Sequence, residues 1–220
     1  MDSSDFEETA GSPRSVSQAA RRLAILDAAK LVFFDEGYQL ASMDRIAERA
    51  GTTKRTVYGY FPNKEALFAA VVEKGCAHVL DQLPGPGTLP AGPREGLIVF
   101  ARASAELMGS PNCIKLERMI LAEAERHPRF AATLGETFDA GETKLADYLA
   151  ACIATGRLKP HDPILAARML SNAIGRATSL RSLLALRADS AELEKSGRAI
   201  EAAVDLYLNA YAAEPPGSPP

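Results

Sequence analysis

The chain has 220 residues, of which 47% are apolar and 24% charged, so it can fill one large core or two modest ones. No stretch approaches the roughly 18 uncharged apolar residues of a membrane span, which excludes a membrane partner and leads us to expect a cytoplasmic protein. The net charge of −3 is unevenly distributed, since residues 14–75 carry ten Lys and Arg against seven Asp and Glu. A local basic surface of this kind suits phosphate attraction whatever the total charge.

The first 17 residues are acidic and Ser-rich and lack apolar periodicity, which predicts an arm that is disordered when free. Arginines near its end could touch a minor groove or phosphates, although a solvated tail is the simpler interpretation: Arg14, Arg21 and Arg22. From Gln18 to about Glu36, apolar residues recur at helical spacing. Gly37 is expected to end this helix in a left-handed conformation.

Two short helices are predicted next. Ser42 can cap a helix over residues 43–50 that Gly51 stops, and Thr53 can cap a second helix from Lys54 to about Phe61. The spacing suits a helix-turn-helix, with a small residue where the helices cross, a residue that tolerates positive φ at the turn, and a β-branched core residue: Ala47, Gly51 and Val57.

A long connecting helix follows the helix-turn-helix. Asn63 can cap it and Glu65 complements its dipole, and its apolar stripe continues to about Leu83, so it should span roughly 30 Å. The Pro- and Gly-rich stretch 84–93 cannot continue a helix and is predicted to be a loop. We therefore expect a DNA-binding domain with its connecting helix over residues 18–83.

Residues 94–213 are predicted to form a second, entirely helical domain. Apolar residues at the helical period and Pro or Gly breaks indicate five helices, over about 95–108, 112–127, 128–156, 164–186 and 191–212. Asp189 and Glu192 resemble a capping box for the last of them. The tail 214–220 is expected to be disordered. The predicted fold class is all-α, with an N-terminal three-helix helix-turn-helix domain and a C-terminal helical ligand-binding and dimerisation domain.

The run AGTTKRTVYGYFPNKEALF, preceded by ILDAAKLVFFDEGYQLASMDRIA, resembles the DNA-binding domain of the TetR family of transcriptional regulators over about residues 20–75. The run AEAERHPRFAATL is similar to a C-terminal domain found in part of that family. This resemblance implies a ligand-responsive, sequence-specific regulator of the repressor type that binds an inverted-repeat DNA operator as a homodimer. The alternative is an architectural DNA-binding protein without an effector, although such a protein is normally more basic.

DNA recognition needs short polar and cationic side chains at base edges, flanked by groups that hold phosphates. Arg55 is the candidate for a bidentate guanine contact, and Lys64 is a candidate for phosphate. Arg55 and Lys54 could instead touch only the backbone, and Tyr58 could be a packing residue. The DNA-contact candidates are Ser42, Thr52, Thr53, Lys54, Arg55, Thr56, Tyr58, Tyr60 and Lys64.

The second domain offers candidates for dimerisation and for binding an unknown small-molecule effector. Its last two helices carry more apolar surface than one bundle face needs, so a second chain could cover the excess, with internal packing as the alternative. The interface candidates are Leu170, Ile174, Ala177, Leu184, Ala203 and Leu206. The ligand-pocket candidates, which could equally be simple core, are Phe100, Met108, Met119, Phe138 and Tyr148.

Catalysis is not expected. The three histidines, His78, His127 and His161, lack a spaced partnership with Cys, Ser or carboxylates that suggests a triad or a metal set. The three cysteines, Cys76, Cys113 and Cys152, lie far apart and are expected to be small buried residues. We therefore expect no metal site and no cofactor.

Overall fold

The structure is a computed structural model that describes residues 13–184 and 190–213. The described residues confirm the all-α prediction. They form α1 (Pro13–Leu40), α2 (Met43–Arg49), α3 (Lys54–Tyr60), α4 (Lys64–Gln82), α5 (Pro93–Met108), α6 (Pro111–Glu123), α7 (Pro128–Ala154), α8 (Pro163–Leu183) and α9 (Ser190–Tyr211). The chain divides into two compact units, and the boundary falls within α4, after Val71. None of the described helices is long and apolar enough to cross a membrane.

The N-terminal helix is longer than the sequence indicated. It begins at Pro13, so residues 13–17 are helical and do not belong to a disordered arm. Proline is well tolerated in the first turn of a helix because its missing N–H has no partner there. Gly37 interrupts the helical backbone at φ 77° and ψ 167°, as its predicted left-handed role requires. Residues 1–12, the tail 214–220 and the Asp189 cap lie outside the described residues.

The first unit is organised around three aromatic rings. The ring of Phe68 on α4 lies 5.0 Å from that of Phe33 and 4.8 Å from that of Tyr38, both on α1. The short helices α2 and α3 contribute Ile46 and Val57, whose exposed fractions are 0%. Helices of seven residues are not stable alone, so this shared core holds α2 and α3 in place.

The second unit has an apolar core built by α5, α7, α8 and α9. Its members include Leu97, Phe100, Leu145, Leu149, Ala167, Leu170, Ile174 and Val204. Helix α6 packs on α7 and approaches the C-terminal part of α4 closely. A Cβ atom added at Gly75 would lie 2.5 Å from Leu116 Cδ2, so a larger residue there would displace the leucine.

The predicted loop 84–93 is ordered by side chains of the second unit. It contains a 3₁₀ turn, Pro86–Thr88, and α5 begins at Pro93. Tyr148 Oη lies 2.9 Å from the Pro90 carbonyl oxygen, and Arg157 donates to the carbonyl of Ala91. These contacts satisfy backbone carbonyls that an irregular loop would otherwise leave to water.

Candidate nucleic-acid interface

The predicted caps and turn of the helix-turn-helix are present. Ser42 Oγ accepts a hydrogen bond from Arg45 N at 3.3 Å, and Thr53 Oγ1 accepts one from Thr56 N at 3.2 Å. Gly51, with φ 61°, makes the turn between α2 and α3. Such caps satisfy amides that the first turn of a helix leaves unpaired. The start of α3 is therefore fixed by its own sequence.

One side of α3 packs inward and the other is open to solvent. Val57 is fully buried, and Phe61, which ends the helix, is 3% exposed. Lys54, Arg55 and Tyr58 are exposed, and the Tyr58 side chain is 45% exposed. Helix α3 therefore presents a polar and cationic surface on a fixed apolar base.

The cationic side chains of the helix-turn-helix differ sharply in their partners. Arg45 pairs with Glu36 at 3.1 Å, Arg49 with Asp35 at 2.9 Å, and Lys54 with Asp44 at 2.8 Å. The Asp44 carboxylate, by hydrogen bonding and by its charge, raises the pKa of Lys54. Arg55 has no ion pair or hydrogen bond with any described residue. The guanidinium of Arg55 is therefore available to a partner outside the chain.

Most of the hydroxyl candidates lie near Arg55 in sequence. Thr53 Oγ1 and Thr56 Oγ1 lie 2.9 Å apart and are hydrogen-bonded to each other, and the Thr53 hydroxyl also caps α3. Ser42, Thr52, Thr56 and Tyr60 are half-buried, and the structure keeps each of them partly accessible. The candidates on α3 are thus brought together, whereas Ser42 lies at the start of α2.

The ammonium group of Lys64 is held by main-chain carbonyls of the segment that precedes α2. Its Nζ donates to the carbonyl oxygens of Tyr38, Gln39 and Ala41 at 2.8, 3.1 and 3.1 Å. An ammonium group has three donors, and all three are used here. The phosphate role expected from the sequence stays a prediction, and it would require the ammonium to exchange at least one of these carbonyls for phosphate.

A groove of about 480 Å³ lies beside the start of α3, between α1 and the turn after α2. It is lined by Ser17, Arg21, Ala24, Ile25, Ala50, Gly51, Thr52 and Thr56. Arg21 is exposed and makes no hydrogen bond or ion pair with the residues that the structure describes. The sequence suggested Arg21 as a minor-groove or phosphate contact near the end of the N-terminal arm. The folded α1 places it on the same groove as Thr52 and Thr56.

Two family comparisons cover most of the chain. Residues 25–71 match the family described as bacterial regulatory proteins, tetR family, and residues 95–213 match the AefR-like transcriptional repressor C-terminal domain. The chain belongs to the TetR family. The fold class, including an N-terminal helix-turn-helix and a separate C-terminal helical domain, is therefore confirmed.

Solved TetR-family structures resemble the chain over nearly its whole length. A TetR-family regulator from Mesorhizobium loti is 28% identical with a TM-score of 0.81, and covers 89% of this chain and 98% of its own. The flavonoid-responsive regulator FrrA is 31% identical with a TM-score of 0.75, covering 88% of this chain and 98% of its own. SmeT, the repressor of a multidrug efflux pump of Stenotrophomonas maltophilia, is 26% identical with a TM-score of 0.62, covering 90% and 95%.

Curated relatives match this TetR-family chain over short stretches. The transcriptional activator FasR from Mycolicibacterium smegmatis is 46% identical over 54 residues, which are 24% of this chain and 25% of FasR. The regulator RutR from Escherichia coli is 41% identical over 61 residues, which are 28% of this chain and 29% of RutR. The alignments thus span less than a third of these relatives.

The five ligand-pocket candidates of the TetR-family C-terminal unit have different environments. Phe100 and Tyr148 are each 4% exposed and belong to the apolar core, and burial raises the pKa of the Tyr148 hydroxyl. Phe138 is 42% exposed, and Met108 and Met119 are half-buried. The side chains of Phe100 and Tyr148 are thus enclosed by the chain's own helices, and whether any of the five contacts a ligand stays a prediction.

The sequence did not single out Glu117 as a ligand contact, yet its environment is unusual. This α6 carboxyl is 8% exposed and makes no hydrogen bond with a described residue. Burial raises the pKa of the Glu117 carboxyl. Burial of the Cys113 thiol, helped by the charge of Glu117, raises the pKa of that thiol to about 11. No group of three or more His, Cys, Asp or Glu among the described residues is arranged to hold a metal. A helical pattern alone gives no signal for such a residue, because Glu is common on exposed faces.

The dimer-interface candidates divide into two groups. Leu170 and Ile174 are 4% and 6% exposed and lie in the core of their own chain, so they are not free to contact a partner. Leu184 and Leu206 are 62% and 74% exposed, and Ala203 is half-buried. The Ala177 side chain lies outside the described residues. Among the described side chains of α8, the exposed large apolar ones are Ile164, Leu165 and Met169.

Proposed function

We propose that this TetR-family protein is a ligand-responsive repressor that binds an inverted-repeat operator as a homodimer. The observation that carries the DNA-binding part is the state of Arg55. Among the cationic residues from position 42 to 64, Arg55 has no partner among the described residues, whereas the others do. Arg55 lies on α3, which is capped by Thr53 and packs inward through Val57. A guanidinium presented in this way can make two hydrogen bonds to guanine in the major groove.

Other contacts in the proposal follow from position. Arg21 and Thr52, on the groove beside α3, are suited to hold a phosphate next to the bases that Arg55 contacts. The hydroxyls of Tyr58 and Tyr60 remain candidates for phosphate, and Thr53 and Thr56 for base methyl or hydroxyl contacts. We assign residues 13–83 to the DNA-binding domain with its connecting helix, and residues 94–213 to regulation and dimerisation.

Selection of DNA from a random pool by the purified protein tests the DNA-binding part. The expected result is an inverted repeat whose half-sites lie about one helical turn apart or a multiple of it. A pool that shows no enrichment would support an architectural DNA-binding protein. Footprinting on the selected sequence would then show whether both half-sites are protected together, as a dimer requires.

The exposed apolar residues of α8 and α9 support dimerisation. Met169 is 65% exposed and Leu206 is 74% exposed, and each lies on a helix that belongs to the second unit. Apolar surface of this kind is usually covered by a partner. A two-fold dimer would place one copy of α3 at each half-site, which is why dimerisation and an inverted repeat belong to one proposal.

Ligand response is the part supported by likeness to FrrA, whose name describes a flavonoid-responsive regulator. Flavonoids are therefore the first compounds to screen, and the readout is operator affinity with and without each compound. If a compound binds better when α4 is tilted, it lowers DNA affinity by the ratio of its affinities for the two states. Compounds that bind the protein and never change operator affinity would contradict ligand control.

A further inference from the structure

Asp44 connects the two short helices of the helix-turn-helix through an ion pair. It lies in the first turn of α2, and its Oδ2 atom accepts a hydrogen bond of 2.8 Å from the Nζ atom of Lys54, the first residue of α3. Both side chains are exposed, one residue away from Arg55. The Asp44 carboxylate raises the pKa of Lys54 through this hydrogen bond and through its charge. A negative charge therefore lies at the start of the helix that is proposed to face DNA.

The charge of Asp44 opposes binding to DNA of any sequence. Affinity that does not depend on sequence comes from cations that neutralise phosphates and release counterions. Asp44 and Lys54 together carry no net charge. A DNA molecule that does not hold α3 at a fixed position therefore gains little attraction from the pair. Asp44 should lower the affinity of the helix-turn-helix for such DNA.

An operator that holds α3 in place interacts with the same pair differently. The ammonium of Lys54 has three donors, and Asp44 is its one acceptor among the described residues. Two donors remain for a phosphate that lies at a fixed position. Because Asp44 already orders the lysine side chain, that contact costs less conformational entropy. The pair should therefore cost less affinity at the operator than at unrelated DNA.

We propose that Asp44 is a specificity-determining residue: by holding Lys54, it lowers the affinity for unrelated DNA more than the affinity for the operator. This inference rests on the proposed DNA-binding function. It adds a residue that improves discrimination by weakening the wrong complexes, without contacting a base. Arg45 and Arg49 are paired with carboxylates of α1, whereas Asp44 acts on the first turn of α3 itself.

The first experiment compares wild type with Asp44→Asn, which removes the charge and keeps the size of the side chain. Affinity for unrelated duplex DNA should rise about 3- to 10-fold at low salt, and the slope of log affinity against log salt should become steeper by about 1 per protomer. Affinity for the operator should change by less than about 2-fold, so the ratio of the two affinities falls. An equal rise for both DNAs, or no rise for unrelated DNA, would overturn the proposal.

Two further variants test whether the effect passes through Lys54. Adding Lys54→Gln to Asp44→Asn restores the original net charge, so the salt slope for unrelated DNA should return to the wild-type value. A slope that stays steep in the double variant would contradict the role of Lys54. Asp44→Glu keeps the carboxylate and should keep the wild-type ratio of affinities. A loss as large as that of Asp44→Asn would show that the charge is not what matters.

Glu201→Gln is the matched control. Glu201 Oε1 lies 2.8 Å from Arg102 Nη2 in the second unit, so this substitution changes the net charge equally and also releases a surface cation. Affinity for unrelated DNA should stay at the wild-type value. A rise equal to that of Asp44→Asn would mean that net charge, rather than the position of Asp44, sets the affinity, and would contradict the proposal.

A measurement without DNA separates this inference from the proposed function. Because Asp44 raises the pKa of Lys54, less of the amine is unprotonated, and acetylation of Lys54 by a reactive ester should be slower in wild type than in Asp44→Asn. Equal rates, read by mass spectrometry, would show that the pair does not form in solution and would overturn the inference. If the rates differ but wild type prefers no DNA sequence, the proposed function fails. An operator preference that Asp44→Asn leaves unchanged defeats only this inference.

Discussion

Lys54 Nζ lies 2.8 Å from Asp44 Oδ2, whereas the guanidinium of Arg55, one residue later, has no partner among the described residues. The two cations are adjacent in sequence and both are exposed. Asp44 on α2 thus partly neutralises one positive charge on α3 and leaves the other available. This difference gives the two side chains separate expected roles at DNA.

Arg55→Gln should remove base preference. The affinity for the selected operator is expected to fall by about 1–3 kcal/mol, the usual value of a bidentate base contact. The affinity for unrelated DNA should change much less. Competition binding with operator and mutated operator measures both quantities. Lys54→Gln is the comparison, and it should weaken binding to both DNAs alike; identical profiles for the two variants would reject the assignment of Arg55.

Arg21→Gln should weaken binding to every DNA sequence. If Arg21 holds a phosphate in the groove beside α3, the slope of log affinity against log salt should become shallower by about 1 per protomer. Binding titrations between low and moderate salt give this slope. The matched variant is Arg22→Gln, because the Arg22 guanidinium lies over the Phe61 ring at 5.1 Å and is used in packing. Equal slopes for Arg21→Gln and wild type would exclude the phosphate contact.

Leu206→Glu should convert the proposed dimer to a monomer. Leu206 is 74% exposed, and a charge placed in an apolar interface is costly to bury. Sedimentation velocity over a range of concentrations measures the change, and operator affinity should fall with it. Leu121→Glu, at a 52% exposed leucine on α6, provides the control and should remain dimeric. A Leu206→Glu protein that sediments like wild type would place the interface elsewhere.

Glu117→Gln should stabilise the protein near neutral pH. Burial raises the pKa of Glu117 in the folded state above its usual value, so the folded protein binds this proton more tightly than the unfolded chain. The ionised Glu117 therefore lowers the free energy of unfolding, and this loss grows as the pH rises from the unfolded pKa of the carboxyl through the folded one. The melting temperature of Glu117→Gln should exceed that of wild type by a few degrees at pH 7.5, on the scale of about 1 kcal/mol.

The pH profile is the check on that explanation. The advantage of Glu117→Gln should shrink as the pH falls below the unfolded pKa, where the carboxyl is protonated in both states. Glu123→Gln is the control, because Glu123 is 4% exposed but lies 3.8 Å from Arg126, and loss of its charge should bring no gain. A stabilisation of Glu117→Gln that does not vary with pH would point to packing.

The helix caps and the turn of the helix-turn-helix were predictable because each depends on residues that are close in sequence. The Ser42 and Thr53 caps accept from amides three residues later, and Gly51 adopts the positive φ that its turn needs. The Asn63 side chain accepts from Ala66 N at 2.7 Å, as expected for the start of α4. Each of these features spans three residues or fewer, so a sequence pattern contains all the information.

The sequence could not show contacts between residues that are distant along the chain. Lys64 is separated by 23 to 26 positions from the carbonyls it contacts, and its phosphate role stays a prediction. Leu170 and Ile174 have the same apolar character as Leu206, and only packing separates core from surface. Helical periodicity identifies apolar positions but not which element covers them.

The sequence by itself determined the helices, their caps, the helix-turn-helix and its family, because these follow from short-range hydrogen bonding and from the spacing of apolar residues. Tertiary structure alone decided which charges are neutralised and which remain free, since ion pairs such as that of Arg49 with Asp35 join different helices. The free energy of a charged side chain depends on what surrounds it in space. That is why Lys54 and Arg55, adjacent and equally cationic in the sequence, have different expected roles.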